Sequence, residues 1–160
     1  MTTSPASPET ITPAALEDGS AVAGLDGFAH RFVDVGGTRL HAVVGGSGPA
    51  VVLVHGWPFT WALWRRVMPG LAATGRTVVA VDLRGTGDSA KPETGYAKAD
   101  VADDLHQMVA HLGLEQTDHI DLVGTDIGAM VAYAYAVSYP DQCVIWCSPS
   151  RSCPVSASRS

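Results

Sequence analysis

The sequence predicts an α/β fold with a mostly parallel sheet and an antiparallel hairpin at its start. Three short segments are nearly continuous apolar runs, which is typical of parallel strands buried on both faces. Stretches with helical periodicity separate these runs, so strands and helices alternate along the chain. Two earlier segments alternate in polarity or are β-branched, as expected of an antiparallel pair at the edge of a sheet.

Five strands are expected. The first two flank Gly36 and Gly37, whose conformational freedom suits a tight hairpin turn. The other three are the apolar runs. In chain order, the expected strands are Ala29–Val35, Thr38–Val44, Ala50–Val54, Thr77–Asp82 and His119–Val123.

Three helices are expected, at Thr60–Ala73, Ala97–Leu112 and Ile127–Ser138. Gly75 and Gly113 end the first two, because glycine readily adopts the left-handed conformation that closes a helix. The middle helix has an apolar stripe at helical spacing that we expect to face the core: Val101, Leu105, Met108, Val109 and Leu112. Its polar face carries Asp100, Asp103, Asp104 and His106.

Composition divides the chain into three parts. Residues 1–27 open with a stretch rich in Thr, Ser, Pro and Ala that has neither a basic start nor an apolar segment. We therefore expect a disordered leader there, and not a signal peptide or a membrane span. Residues 28–141 are expected to form a partial α/β core. Residues 142–160 are an atypical tail, expected to be disordered or out of frame.

The tail differs abruptly from the rest of the sequence. It contains all three cysteines, Cys143, Cys147 and Cys153, and six serines from Ser148 to Ser160. Our hypothesis is that the reading frame shifted or was cut near residue 141. The alternative is a genuine short edge strand around Val144–Trp146 with a disordered end.

Charge and cysteine content exclude several classes of function. The formal net charge is -6 and there is no basic run, so a nucleic-acid surface has no electrostatic support. The spacing of Cys143 and Cys147 lacks the partners of a zinc site. No metal or cofactor is implied, and a cytoplasmic location is the default expectation.

The segment Leu122–Met130 is an apolar strand that runs through a Gly-x-x-x-Gly turn into an apolar helix. Gly124 and Gly128 stand two residues either side of Asp126, which is the spacing of a nucleophile elbow. The central residue of such a turn is strained and closely packed, so the flanking positions need glycine. A carboxylate at the centre would attack carbon directly and form an ester with the enzyme.

Two other loops carry related signals: one apolar strand closes on His55-Gly56-Trp57-Pro58, and the next leads into Asp82-Leu83-Arg84-Gly85-Thr86-Gly87-Asp88-Ser89. Together with the turn around Asp126, they make the stretch from about Phe28 to Pro140 resemble the amino-terminal half of the α/β-hydrolase fold. More narrowly, the stretch resembles epoxide hydrolases and their dehalogenase relatives.

The resemblance implies that Asp126 opens an epoxide and forms an ester, with an oxyanion hole made by the backbone N–H groups of Trp57 and Ile127. The residues expected to shape the site are His55, Gly56, Pro58, Gly124 and Gly128. In this family a later histidine, activated by a second carboxylate, drives water onto the ester. Two tyrosines from a helical cap protonate the epoxide oxygen. This chain matches neither the cap nor that histidine.

Two departures separate the relatives, and a third, at Thr125, does not bear on the reaction class. Haloalkane dehalogenases usually carry a tryptophan after the nucleophile as a halide donor, whereas Ile127 offers only its backbone N–H. Fluoroacetate-type enzymes place arginines just after the aspartate, and Ile127 and Met130 cannot hold an anionic substrate in that way. Thr125 stands where these families commonly carry histidine.

Other roles are open for the same residues. Asp126 could instead be an N-cap carboxylate of the following helix. His55 is expected to be a structural anchor and not a base. Asp82 and Asp88 are expected to brace the loops near Arg84.

All six histidines precede Asp126, whereas the triad order of this fold places the histidine after the nucleophile. The expected function is therefore opening of a small apolar epoxide-type substrate to a diol through an aspartyl ester, inactive in a truncated chain. The alternatives are a haloalkane dehalogenase-like hydrolase and a non-catalytic truncated fragment. Self-association through an unfinished sheet edge is also expected.

Overall fold

The computed structural model of the 160-residue chain describes residues 16–114 and 119–147. It contains a six-stranded sheet in the order β1-β2-β4-β3-β5-β6. The strands are β1 Phe28–Val35, β2 Thr38–Gly46, β3 Ala50–Val54, β4 Thr77–Asp82, β5 Ile120–Gly124 and β6 Cys143–Cys147. β1 with β2 and β2 with β4 are antiparallel pairs, and the remaining pairs are parallel. The predicted fold class, including the antiparallel first hairpin, is confirmed.

Three α-helices accompany the sheet: α1 Met68–Ala73, α2 Lys98–His111 and α3 Ile127–Ser138. The prediction of one helix over Thr60–Ala73 is wrong, because that segment is a 3-10 helix at Trp61–Trp64 followed by the short α1. Pro69 lies in the first turn of α1 and has no N–H for the preceding turn, so a continuous helix cannot pass through it. Gly75 and Gly113 both adopt positive φ just after helices, as predicted.

Both faces of β3 and β4 are buried, which explains why their sequences are nearly continuous apolar runs. Along β3, Val52 and Val54 belong to a cluster shared with α2 and α3. Val51 and Leu53 point to the opposite cluster, which Trp61 and Met68 complete. The sheet is therefore covered on both sides at the strands that carry the candidate site.

The predicted leader differs from the structure over residues 16–27. Val22 and Leu25 are buried against Phe28 in the second cluster, and Ala21 forms an isolated antiparallel bridge with Ala29. Apolar residues at this spacing fold back onto the first hairpin, so the packed region begins before the predicted boundary at residue 28. Residues 1–15 lie outside the described residues.

The sheet also extends past the boundary predicted at residue 141. β6 pairs in parallel with β5 along its whole length, from Ile120 with Cys143 to Gly124 with Cys147. At residues 143–147 this supports the alternative of a short edge strand over the expectation of an atypical, disordered tail. Burial raises the pKa of the Cys143 thiol to about 11, so this thiol stays protonated near neutral pH. Residues 148–160 lie outside the described residues, and the reading-frame hypothesis stays a prediction.

In the described part of the chain, no helix combines the length and apolar character needed to cross a lipid bilayer.

Candidate active site

The three loops singled out in the sequence meet at one edge of the sheet. β3, β4 and β5 are parallel neighbours whose carboxyl ends lie side by side, with Val54 opposite both Val81 and Gly124. The loops after β3 and β5 carry Trp57 and Asp126, and Asp82 is the last residue of β4. In open α/β sheets this edge is where ligands bind.

Asp126 occupies a strained turn between β5 and α3. Its φ of 53° and ψ of −124° make it the one non-glycine residue with positive φ in the described ranges. Such a conformation costs about 1–3 kcal/mol and is typical of functional sites. The strained strand-to-helix turn predicted from the glycine spacing is present.

The glycines around this turn are required by close packing. A Cβ on Gly124 would lie 2.5 Å from the Gly128 carbonyl oxygen, and one on Gly128 would lie 2.5 Å from the His55 carbonyl oxygen. A Cβ on Gly56 would lie 2.6 Å from the Cβ of Asp126. Glycine therefore lets the β3 loop approach the turn closely enough for backbone contacts with the carboxylate.

The Asp126 carboxylate accepts a hydrogen bond from the Trp57 N–H, with 2.9 Å between N and Oδ2. It makes no side-chain capping bond to α3, although it stands at the N-cap position. This geometry disfavours the alternative that Asp126 serves only as a helix cap. The carboxylate is exposed.

The Trp57 N–H is aimed by a tight turn. The Trp57–Pro58 peptide is cis, and the Phe59 N–H donates to the Gly56 carbonyl at 2.9 Å. Trp57 is 67% exposed, so its contact with Asp126 comes from the backbone N–H and not from the ring. The Ile127 N–H lies in the first turn of α3, where N–H groups have no acceptor within the helix.

His55 is fully buried and held on both ring nitrogens. Its Nδ1 lies 2.9 Å from the Gly56 carbonyl oxygen, and its Nε2 lies 3.2 Å from the Leu83 nitrogen. A carbonyl can only accept and an N–H can only donate, so Nδ1 carries the proton and Nε2 accepts. This supports the expected anchoring role, because His55 joins the β3 loop to the β4 loop.

A buried cluster that the sequence reading missed lies beside these loops. His30 Nδ1 lies 2.8 Å from His41 Nε2, and His41 Nδ1 lies 2.8 Å from Asp82 Oδ2. Asp82 also accepts the backbone N–H groups of Trp61 at 2.8 Å and Asp88 at 3.1 Å. The alternating polarity of β1 and β2 was visible in the sequence, but the pairing that joins their histidines to Asp82 was not.

The cluster shifts the pKa values of its members. Burial raises the pKa of Asp82, but the hydrogen bonds from His41, Trp61 and Asp88 outweigh it and hold the pKa below its usual value. Burial lowers the pKa of His30, and the neighbouring His41 lowers it further. Asp82 is therefore ionised and His30 neutral near pH 7.

Asp104 was predicted on the polar face of the middle helix, and it is only 4% exposed. It makes two hydrogen bonds to the Arg84 guanidinium, at 2.5 Å and 2.6 Å. The loop after β4 folds over α2 and covers the carboxylate. Arg84 therefore pairs with Asp104 on α2. Asp82 braces the loops through its carboxylate, whereas Asp88 contributes its backbone N–H to Asp82.

Among the described residues, His41, Asp82 and Asp88 place metal-ligand atoms within 4.8 Å of one another. However, both Asp82 oxygens accept N–H donors, and the His41 nitrogen that faces them carries a proton. The group is therefore a hydrogen-bonded cluster and a poor metal site.

A cleft of about 320 Å³ opens beside the turn. The residues that line it include Trp57, Tyr96, Lys98, Ile127 and Val131. Asp126 is not one of its lining residues, so we do not assign the cleft as the place where a substrate reacts.

A mostly parallel sheet with a strained, glycine-flanked residue at a strand-to-helix turn defines the class of α/β hydrolases. Residues 49–156 match the family described as the alpha/beta hydrolase fold. The chain belongs to this family.

Several characterised proteins are similar to this chain. A soluble epoxide hydrolase of Corynebacterium sp. (strain C12) is 45% identical over 114 residues, which cover 71% of this chain and 38% of that protein. A fluoroacetate dehalogenase of Burkholderia sp. is 41% identical over 122 residues, covering 73% of this chain and 39% of the relative. The chain therefore spans about two fifths of the length of these relatives.

A solved epoxide hydrolase from an endophytic Streptomyces superposes with a TM-score of 0.72 at 39% identity. The superposition covers 76% of this chain and 37% of that structure.

Proposed function

We propose that this chain carries the nucleophile and the oxyanion loop of an epoxide hydrolase-type enzyme, with Asp126 as the nucleophile. The observation that carries the proposal is the contact between the Trp57 N–H and Asp126 Oδ2 at a strained elbow. Two of the relatives described above bear the name epoxide hydrolase, which supports the substrate class.

The contact divides the two carboxylate oxygens by role. The Trp57 N–H holds Oδ2, which leaves Oδ1 to attack an epoxide carbon. The new bond joins Oδ1 to that carbon, the ring C–O bond breaks, and the released oxygen takes a proton from solvent or an acid. The product is an ester of Asp126 with a neighbouring hydroxyl group.

The same geometry suits the second step. When water attacks the ester carbonyl, negative charge develops on Oδ2, where the Trp57 and Ile127 N–H groups stabilise it. That step needs a general base to take a proton from the water. No histidine follows Asp126 in the sequence, and His55 is held on both ring nitrogens. We propose that the 160-residue chain is alkylated once and does not turn over.

The test is to incubate the protein with a small reactive epoxide and measure its intact mass. The expected result is an increase equal to the whole mass of the epoxide, because ring opening has no leaving group. Peptide mapping should place the adduct on Asp126. A folded protein without the adduct would sink the assignment.

Two variants control this test. Asp126→Asn should lose the adduct while keeping the fold, because it removes the attacking carboxylate. Asp34→Asn removes an exposed carboxylate of β1 that lies outside the site, so it should label like the parent protein. Equal labelling of all three proteins would show non-specific alkylation.

The dehalogenase-like alternative is tested with a haloalkane probe. One relative is a fluoroacetate dehalogenase, which favours including it. Displacement would add the alkyl group and release halide. We expect no such adduct, because Ile127 offers no side-chain donor to a leaving halide. A protein that accepts neither probe would support the non-catalytic reading.

A further inference from the structure

Asp82 is the centre of a set of contacts that converge on Trp61. Its Oδ1 accepts the Trp61 backbone N–H at 2.8 Å, and its Oδ2 faces His41 Nδ1 at the same distance. His30 continues the chain from His41 and packs the edge of its ring against the Trp61 ring, with the centroids 6.1 Å apart at 88°. One cluster therefore contacts both the backbone and the ring of Trp61.

Hydrogen bonds connect the three side chains of the cluster. An ionised Asp82 can only accept, so His41 donates to it from Nδ1. The contact between His41 Nε2 and His30 Nδ1 joins two ring nitrogens, of which one donates and the other accepts. All three side chains are at least nine-tenths buried, which makes an unpaired group in this place costly.

Trp61 marks the end of the loop that presents Trp57. At its start, Gly56 is held by His55 through its carbonyl. At its end, Trp61 is held by Asp82. The Trp57 N–H, which contacts Asp126, lies between these two attachments. The oxyanion loop, residues 56–61, is thus held at its start by the adjoining His55, which also accepts the Leu83 N–H of the β4 loop, and at its end by Asp82 of β4.

We propose that Asp82, supported by His41 and His30, is a positioning residue that holds the oxyanion loop so that the Trp57 N–H faces Asp126. The inference rests on the proposed function, since it explains how that donor is placed. Asp82 touches neither Asp126 nor the expected position of the substrate, and it acts through Trp61. The cluster joins β1, β2 and β4 to a loop that follows β3.

The experiment is amide hydrogen exchange, read by NMR on the ¹⁵N-labelled 160-residue chain and its Asp82→Asn variant. An asparagine presents an NH₂ group to one of three donors and must lose at least one contact. We expect exchange at the Trp57 and Trp61 amides to rise at least about tenfold relative to the amides of Val52 and Val79. Asp34→Asn is the matched control and should leave all four amides unchanged.

A merely structural role predicts a different pattern. If Asp82 only stabilised the fold, exchange at the loop and at the core strands would rise by the same factor. That result, or an unchanged Trp57 amide, would overturn the proposal. His30→Phe keeps Asp82 and removes the outer hydrogen bond, so it should give a smaller rise confined to the same loop. This second variant decides the matter if Asp82→Asn does not fold.

Labelling of the same samples with the epoxide separates the two proposals. Selective exchange at Trp57 together with no adduct on the parent protein would support the positioning role and sink the proposed function. An adduct on the parent protein with uniform exchange in Asp82→Asn would do the reverse.

Discussion

The two ends of the strand order differ in how completely this chain covers them. We call the end with β1, β2 and β4 the covered side and the end with β5 and β6 the open side. On the side of β1, β2 and β4, residues 16–27 pack over the hairpin, and the polar groups of the Asp82 cluster are buried and paired. On the side of β5 and β6, α3 exposes three apolar side chains at helical spacing: Met130, Tyr133 and Val137.

The two elements of the candidate site are attached to different sides of the sheet. The loop that presents Trp57 is attached to the covered side through Asp82 and His55. The nucleophile is attached to α3, whose outer face is open. The relatives contain further chain beyond the two fifths matched here. Self-association through the edge of β6 stays a prediction, because nothing in the structure tests it.

The largest expected effect lies in the ion pair that joins the β4 loop to α2. Asp104→Asn should lower the free energy of unfolding by about 3 kcal/mol, because it leaves the largely buried Arg84 guanidinium without its charge partner. Urea denaturation measures this. The exposed Asp34→Asn should change the value by less than about 0.5 kcal/mol. A similar small loss in both variants would contradict the importance of this pair.

The next largest loss of stability is expected at Gly128, in the turn between β5 and α3. Gly128→Ala places a Cβ against the Val54 and His55 carbonyl groups, which are backbone and cannot rotate away. We expect a loss of about 2–3 kcal/mol in urea denaturation. Gly70→Ala is the control, since a Cβ at that position in α1 meets nothing within 4 Å. It should stabilise the protein by about 0.5–1 kcal/mol. Equal effects at the two positions would contradict the packing argument.

Two valines of α3 compare its inner and outer faces. Val131 is buried, so Val131→Ala should cost about 1–2 kcal/mol in thermal or urea unfolding. Val137 is 65% exposed, and Val137→Ala should change stability by less than about 0.5 kcal/mol in dilute protein. A large loss from Val137→Ala would show that the outer face is covered in solution.

The smallest expected effect is a pH dependence on the covered side. Burial lowers the pKa of His30, so the unfolded chain binds that proton more readily than the folded chain. This contribution to stability is therefore present above the usual histidine pKa of 6.5 and is lost as the pH falls through it. His30→Phe should flatten this part of the stability curve between about pH 7 and pH 5. His111→Gln, at an exposed position of α2, is the control.

Other charges contribute to the same curve. The carboxylates of Asp82 and Asp88 partly oppose the lowering of the pKa of His30. Arg39 stacks on Phe32, which contacts the His41 ring. Asp82 itself has a lowered pKa, so its own contribution is lost only in more acidic solution, below its usual value of 3.8. An unchanged slope in His30→Phe would assign the pH dependence to these other groups.

The sequence was sufficient for five strands because three are short apolar runs and two flank a glycine turn with alternating or β-branched residues. The five predicted strands agree with the structure to within two residues at their ends. The first helix was mispredicted because its apolar periodicity continues across Pro69, which cannot donate the hydrogen bond that a single helix needs.

The turn around Asp126 could be predicted because its physical requirement is local. The packing leaves no room for a Cβ two residues away on either side, so only glycine fits there, and that spacing is visible in the sequence. The roles of Trp57 and Ile127 in an oxyanion hole were implied by the family resemblance, and they remain proposals.

The sequence by itself determined the fold class, the strained turn and its carboxylate, because each depends on residues that are close along the chain. Only the tertiary structure decided how the loops are held. His30, His41 and Asp82 are far apart in sequence, and strand register brings them together, with His41 directly opposite Asp82 and His30 diagonal to His41. Asp104 was hidden for the same reason, because a distant loop covers it. Strand pairing and loop packing depend on contacts across the whole sheet, which no local pattern records.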